Sequence, residues 1–81
     1  MSEISRLRWL CRRGMKELDV VMSGYLERYY AEASAQDQAH FRALLEMQDP
    51  ELYALLLGRS TIDDPELERF IDFLRGMSGR H

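Results

Sequence analysis

Apolar residues recur every three or four positions along most of the chain, the spacing of helices that bury one face. In the first segment, from about Ser2 to Arg13, Ile4, Leu7, Leu10 and Cys11 share a side. The second, from about Lys16 to Ala31, carries Leu18, Val21, Met22, Tyr25, Leu26 and Tyr29 as one wide stripe. The stretch "SAQD" at 34–37 resembles a capping box and predicts the start of a third helix, with Phe41, Leu44, Leu45 and Met47 turned inward. The tetrapeptide "DPEL" occurs twice, at 49–52 and 64–67. Each copy offers an Asp that can cap, a Pro suited to the first helical position and a Glu near the positive helix end. Two more helices follow: Pro50 to Leu57, ending near Gly58, and Pro65 to Arg75, ending at Gly76, with Leu67, Phe70, Ile71 and Leu74 inward. The pattern predicts an all-α fold, a small bundle of about five short helices in a single domain over 1–81, with 77–81 as a flexible tail.

The first two stripes stay in phase across Gly14, so periodicity alone also permits one continuous helix. Length argues against it. A helix over residues 4–29 would be about 39 Å long at roughly 1.5 Å per residue. A compact chain of this size has a radius of gyration of only about 12 Å. A glycine inside a helix costs about 1 kcal/mol, yet is well placed just after one. A break at Arg13–Met15 would also put Arg12 and Arg13 at a negative helix end and Glu17 and Asp19 at a positive one.

Composition fits a folded domain: of 81 residues, 46% are hydrophobic and 31% charged. The net charge of −3 is unevenly distributed. Residues 1–16 hold five basic groups and one acid, whereas 17–81 hold six basic groups and thirteen acids. A basic end on an acidic body suits a protein partner better than nucleic acid, because the acidic remainder repels phosphate. No apolar run approaches the roughly 20 residues that cross a bilayer, and the start "MSEISRLRWL" does not read as a signal or transit peptide. The expectation is a soluble cytoplasmic protein without membrane insertion, and a monomer.

Few residues suggest chemistry of their own. The glycine fingerprint of a dinucleotide site and the phosphate-binding loop are both missing. His40 and His81 stand apart from any metal-ligand spacing; the first reads as a helix residue, the second as a flexible end. Cys11 is the only cysteine, lies on an apolar stripe and reads as a small buried hydrophobe. The concentration of charge at "CRRGMKELD" (11–19) is different. A turn at Gly14 would present Arg12, Arg13, Lys16 and Glu17 from one exposed knuckle, with Arg8 a turn earlier and Trp9 beside the stripe as either core cover or aromatic anchor. Solvation of two helix ends explains the same charges, so the residues alone leave open that Gly14 is only a stop signal.

"RRGMKELD" contains an Arg-Gly-x-x-Glu motif. With "RLRWLCRRGMKELD", "FRALLEMQDPELYALLLGR" and a last amphipathic helix after "DDPELE", residues 6–75 resemble the succinate dehydrogenase assembly factor 2 family, also called the SdhE flavinylation factors. The resemblance implies a small helical bundle that binds the flavoprotein subunit of succinate dehydrogenase, and in bacteria the related fumarate reductase subunit, and promotes covalent attachment of FAD. It implies an assembly factor rather than an enzyme. The FAD belongs to the client, no cofactor of its own is expected, and a weak direct contact with FAD stays open. It makes Arg13, Gly14 and Glu17 the functional positions. Residue chemistry suits them: Gly14 permits close backbone approach and a positive φ. Arg13 can make bidentate contacts with a partner. Glu17 can accept hydrogen bonds from a partner or hold Arg13 in place. Arg12, Arg8, Lys16 and Trp9 complete the expected partner-binding surface. The alternative is an antitoxin-like or other helical protein-binding module without a flavin role.

Overall fold

The computed structural model describes residues 2–78 and consists of five helices with one 3-10 turn. They are α1 (Glu3–Leu10), α2 (Lys16–Arg28), the 3-10 turn Tyr30–Glu32, α3 (Ala35–Leu45), α4 (Asp49–Leu57) and α5 (Pro65–Ser78). Among the described residues there is no strand. Helix α2 is central, packing against α1, α4 and α5, while α3 and α4 both lean on α5. The expectations for His81 and for the last three tail positions lie outside the described residues.

The chain breaks between α1 and α2 as the length argument requires: the longest dimension is 35 Å, less than one rod over 4–29 would need. The first helix stops three residues earlier than expected, at Leu10. The cause is Asp19, whose Oδ1 accepts the Arg13 backbone N–H at 2.6 Å and so removes it from the helical ladder. Cys11 and Arg12 close the helix with tighter bonds to Arg8 and Trp9 carbonyls. Helix α2 also ends early, at Arg28, and the 3-10 turn rotates the next side chains. Tyr30 is thereby buried and Tyr29, expected inward, lies at the rim.

The remaining boundaries follow local chemistry. Ser34 Oγ accepts the Asp37 N–H as the N-cap of α3. Gly58 ends α4 at φ +80°, a left-handed conformation that glycine takes without a Cβ penalty. Gly76 does not stop α5, because Met77 packs on the core, its Cε 3.4 Å from the position a Cβ on Gly24 would occupy. One core results, with Leu7 from α1 and Cys11 just after it, Leu18, Val21, Met22, Tyr25 and Leu26 from α2, Tyr30 from the 3-10 turn, Phe41, Leu44 and Leu45 from α3, Leu52 and Leu55 from α4, and Phe70, Ile71 and Leu74 from α5. Burying each large aliphatic side chain contributes about 1.5–3 kcal/mol. This core fixes the five-residue corner 11–15 against the turn between α3 and α4.

Candidate functional site at the α1–α2 corner

Arg13 departs most from expectation. Its side chain is only 10% exposed and points into the protein rather than out of the knuckle. Nε pairs with Asp49 Oδ1 at 2.8 Å, Nη1 donates to the Leu45 carbonyl at 2.8 Å and to the Leu10 carbonyl at 3.4 Å, and Nη2 donates to the Met47 carbonyl. The reason is electrostatic. Leu45 ends α3, so its carbonyl sits at a negative helix terminus, and Asp49 adds a full negative charge at the start of α4. The guanidinium lies between the two and bonds to both. The expectation that Arg13 belongs to the exposed knuckle is therefore corrected: its donors are engaged within the chain.

The rest of the knuckle is exposed. Gly14 has φ +83°, and a Cβ built on it would meet nothing within 4 Å. The backbone is thus bare and open to a partner on that side. Arg12, Lys16 and Glu17 are exposed, and their side chains have no hydrogen-bond or ion-pair partner among the described residues. Holding Arg13, a role open to Glu17 from sequence, falls instead to Asp49 for the side chain and Asp19 for the backbone. Glu17 is left as an unpaired acceptor.

Trp9 is 70% exposed, which resolves the sequence ambiguity toward an uncovered aromatic rather than a core lid. Arg8 is exposed as well, but it spans to α2 and bonds Glu27 at 2.9 Å, a contact that raises its pKa. The structure thus groups Trp9, Arg12, Gly14, Lys16 and Glu17 at one corner, sets Arg8 on the α1–α2 flank and turns Arg13 beneath. Beside Trp9 a cleft of about 640 Å³ runs between Leu10, Arg12 and Arg13 on one wall and residues 45–50 on the other.

Sequence reasoning missed Asp49 and Asp19. In the sequence both are helix-start acids; in the structure both bond to Arg13, the first from 36 residues away. No local pattern distinguishes an Asp that caps its own helix from one that reaches across the fold. Cys11 is as expected: wholly buried, with burial pushing its thiol up to about 11. Among the described residues no cluster of His, Cys, Asp or Glu could hold a metal, and no helix is long and apolar enough to cross a membrane. A second cleft of about 490 Å³ lies at the far end of α2, where Tyr29 and Phe73 meet Arg28, Arg69, Glu32 and Glu66. Its charges of both signs select no ligand.

The chain is similar to several named proteins. A protein of Shewanella oneidensis named FAD assembly factor SdhE is 43% identical over 76 residues, covering 94% of this chain and 93% of the relative. The protein of the same name from Methylococcus capsulatus is 40% identical over 80 residues, 99% of this chain and 96% of the relative. That of Pseudomonas aeruginosa is 39% identical over 70 residues, 86% of this chain and 83% of the relative. Residues 5–78 match the Sdh5 family, described as flavinator of succinate dehydrogenase, and the chain belongs to that family.

Proposed function

We propose that this chain is an assembly factor that binds the flavoprotein subunit of succinate dehydrogenase and promotes covalent attachment of its FAD. The observation that carries the reading is the family match over residues 5–78. The exposed corner supports a docking role. Gly14 admits close approach of a partner backbone, Glu17 offers an unpaired carboxylate, Arg12 and Lys16 supply positive charge, and Trp9 supplies a large apolar anchor. Arg8 borders the surface from its bridge to Glu27. Arg13 contributes from below, by shaping the corner.

The reading asks only binding and orientation of this chain. In attachment the flavin methyl carbon loses a proton and gains a bond to a client histidine nitrogen, the electron pair and the displaced protons go to the flavin ring, and an external electron acceptor returns the reduced flavin to its oxidised state; client groups and the flavin itself suffice for these steps. Holding the two in reacting geometry can lower a barrier by several kcal/mol, with roughly 7–11 as the upper range. The chain acts as a monomer in the cytoplasm, and the flavoprotein subunit of fumarate reductase is a second client.

The test is capture of the flavoprotein subunit on the immobilised chain, together with in-gel flavin fluorescence of denatured subunit from cells carrying or lacking the gene. Deletion should remove most covalent flavin, and Glu17→Ala should do the same without lowering the melting temperature. Undiminished covalent flavin in the deletion strain at normal growth would overturn the reading.

A further inference from the structure

Asp49 and Asp64 occupy the same place in two identical tetrapeptides, yet only one of them caps its helix. Asp64 Oδ1 accepts the backbone N–H groups of Glu66 and Leu67 at 3.1 and 3.3 Å. Asp49 makes no such bond: α4 begins one residue earlier than its proline predicts, with Gln48 in the N-cap position and no side-chain cap, so Asp49 is the first helical residue and its carboxylate is free to reach elsewhere. A capping Asp is worth about 1 kcal/mol to its helix. At α4 that carboxylate instead holds Arg13, on the far wall of the cleft beneath Trp9.

Among the described residues, every hydrogen bond between the corner 11–15 and the turn 45–50 passes through the Arg13 side chain. Asp49 supplies the only charged partner in that set. The pair crosses between the exposed knuckle and the Gln48–Pro50 wall, so its geometry sets how far apart the two walls stand. We propose that Asp49 is a positioning residue for client docking: through Arg13 it locks the α1–α2 corner onto the α3–α4 turn, and so holds the cleft between Trp9 and Pro50 at the width that receives a segment of the client flavoprotein. This rests on the docking function proposed above. Asp49 acts through Arg13 and needs no contact with the client.

The experiment measures client affinity by titrating purified flavoprotein subunit onto the full chain, well below the melting temperature of every variant. Asp49→Ala should weaken binding about tenfold, the scale at which a misplaced contact costs affinity. Asp64→Ala, which removes a cap, should leave affinity unchanged although it lowers the melting temperature. Asp49→Asn keeps an oxygen for Arg13 Nε and should recover most of the affinity. The double variant R13A/D49A should bind no worse than the weaker single variant, since both changes break one link. Wild-type affinity in Asp49→Ala would overturn the proposal, as would additive losses in the double variant, which would mean that Asp49 acts independently of Arg13. Glu17→Ala is the parallel control. If it too binds like wild type, the docking reading falls and this proposal with it; if it alone loses affinity, only the role of Asp49 is refuted.

Discussion

The two "DPEL" stretches are identical in sequence and each starts a helix, yet the protein uses their first residues differently. At 64–67 the carboxylate bonds to its own helix, two and three residues on. At 49–52 it reaches back 36 residues to Arg13. What differs is the neighbourhood. Asp64 follows a largely exposed linker, and among the described residues its carboxylate accepts from the N-terminal N–H groups of its own helix. Asp49 follows a tight turn from α3, beside a guanidinium already drawn to the Leu45 and Met47 carbonyls. There the helix starts at Asp49 itself, with Gln48 as its N-cap, so the carboxylate stands one position past the cap and serves as counter-charge to a buried cation.

The largest expected effect breaks the comparison at its cation. Arg13→Ala leaves the Asp49 carboxylate and the Leu45 and Met47 carbonyls without their donor. Losing one partner of a buried, hydrogen-bonded pair costs about 3–5 kcal/mol, and the 31% exposure of Asp49 lowers this to about 2–4. In a chain this small each kcal/mol moves the melting temperature by about 4–8 °C. Calorimetry should therefore show a loss of at least about 8 °C, and Arg13→Lys, with one compact ammonium for a forked guanidinium, should recover only part of it. A variant melting within 2 °C of wild type, roughly the error of such a scan, would mean that the internal bonds contribute little.

A smaller effect sharpens the comparison at the other copy. Asp64→Ala removes an N-cap and should cost about 1 kcal/mol, with flavin attachment to the client unaffected. Asp64→Asn should be nearly neutral, because asparagine caps as well as aspartate. Asp49→Ala should differ in kind, lowering client affinity more than its own stability loss explains. Equal stability costs with equal flavin phenotypes at both positions would erase the distinction between them.

Gly14 and Gly58 extend the same logic to backbone. Both are left-handed, at φ +83° and +80°, and neither would clash with an added Cβ. Alanine at either should cost about 1 kcal/mol from conformation alone. Only Gly14→Ala should also impair client maturation, because of the two only Gly14 lies on the corner proposed to dock the client. It follows that a bulky residue at position 14 is a poor probe of docking, since strain accompanies it; Glu17→Ala separates binding from folding cleanly.

These cases show what was legible in the sequence. The helices, their caps at Ser34 and Gly58 and nearly all of the core follow from periodicity and short-range chemistry, which act within four residues. The early ends of α1 and α2 did not, and the second of these exchanged Tyr29 for Tyr30 in the core. The Arg-Gly-x-x-Glu motif identified the corner and its open Gly14 and Glu17. It misplaced Arg13, because an arginine beside two other cations in sequence reads as exposed until a carboxylate 36 residues away and two helix-end carbonyls are brought to it. Such inward turns depend on tertiary contacts that no local pattern encodes.

The smallest expected effect uses Cys11 as a reporter of the Arg13–Asp49 link. The thiol lies wholly inside the core two residues before Arg13, and burial pushes its pKa up to about 11 from an ordinary 9.0, against a smaller opposing pull from the Arg13 guanidinium. The folded state holds the thiol proton more tightly than the unfolded chain does. The stability this contributes is therefore fully present below about pH 9 and lost as pH rises through about 11. Near neutral pH the folded thiol is both buried and protonated, so a thiol reagent reacts only when the corner opens. Asp49→Ala should raise the labelling rate at pH 8 by severalfold more than its melting temperature accounts for, whereas Asp64→Ala should raise it only in proportion to global stability. Identical rates in the two variants at matched stability would mean that Asp49 does not restrain the corner, and that its bond to Arg13 has no consequence at the proposed docking surface.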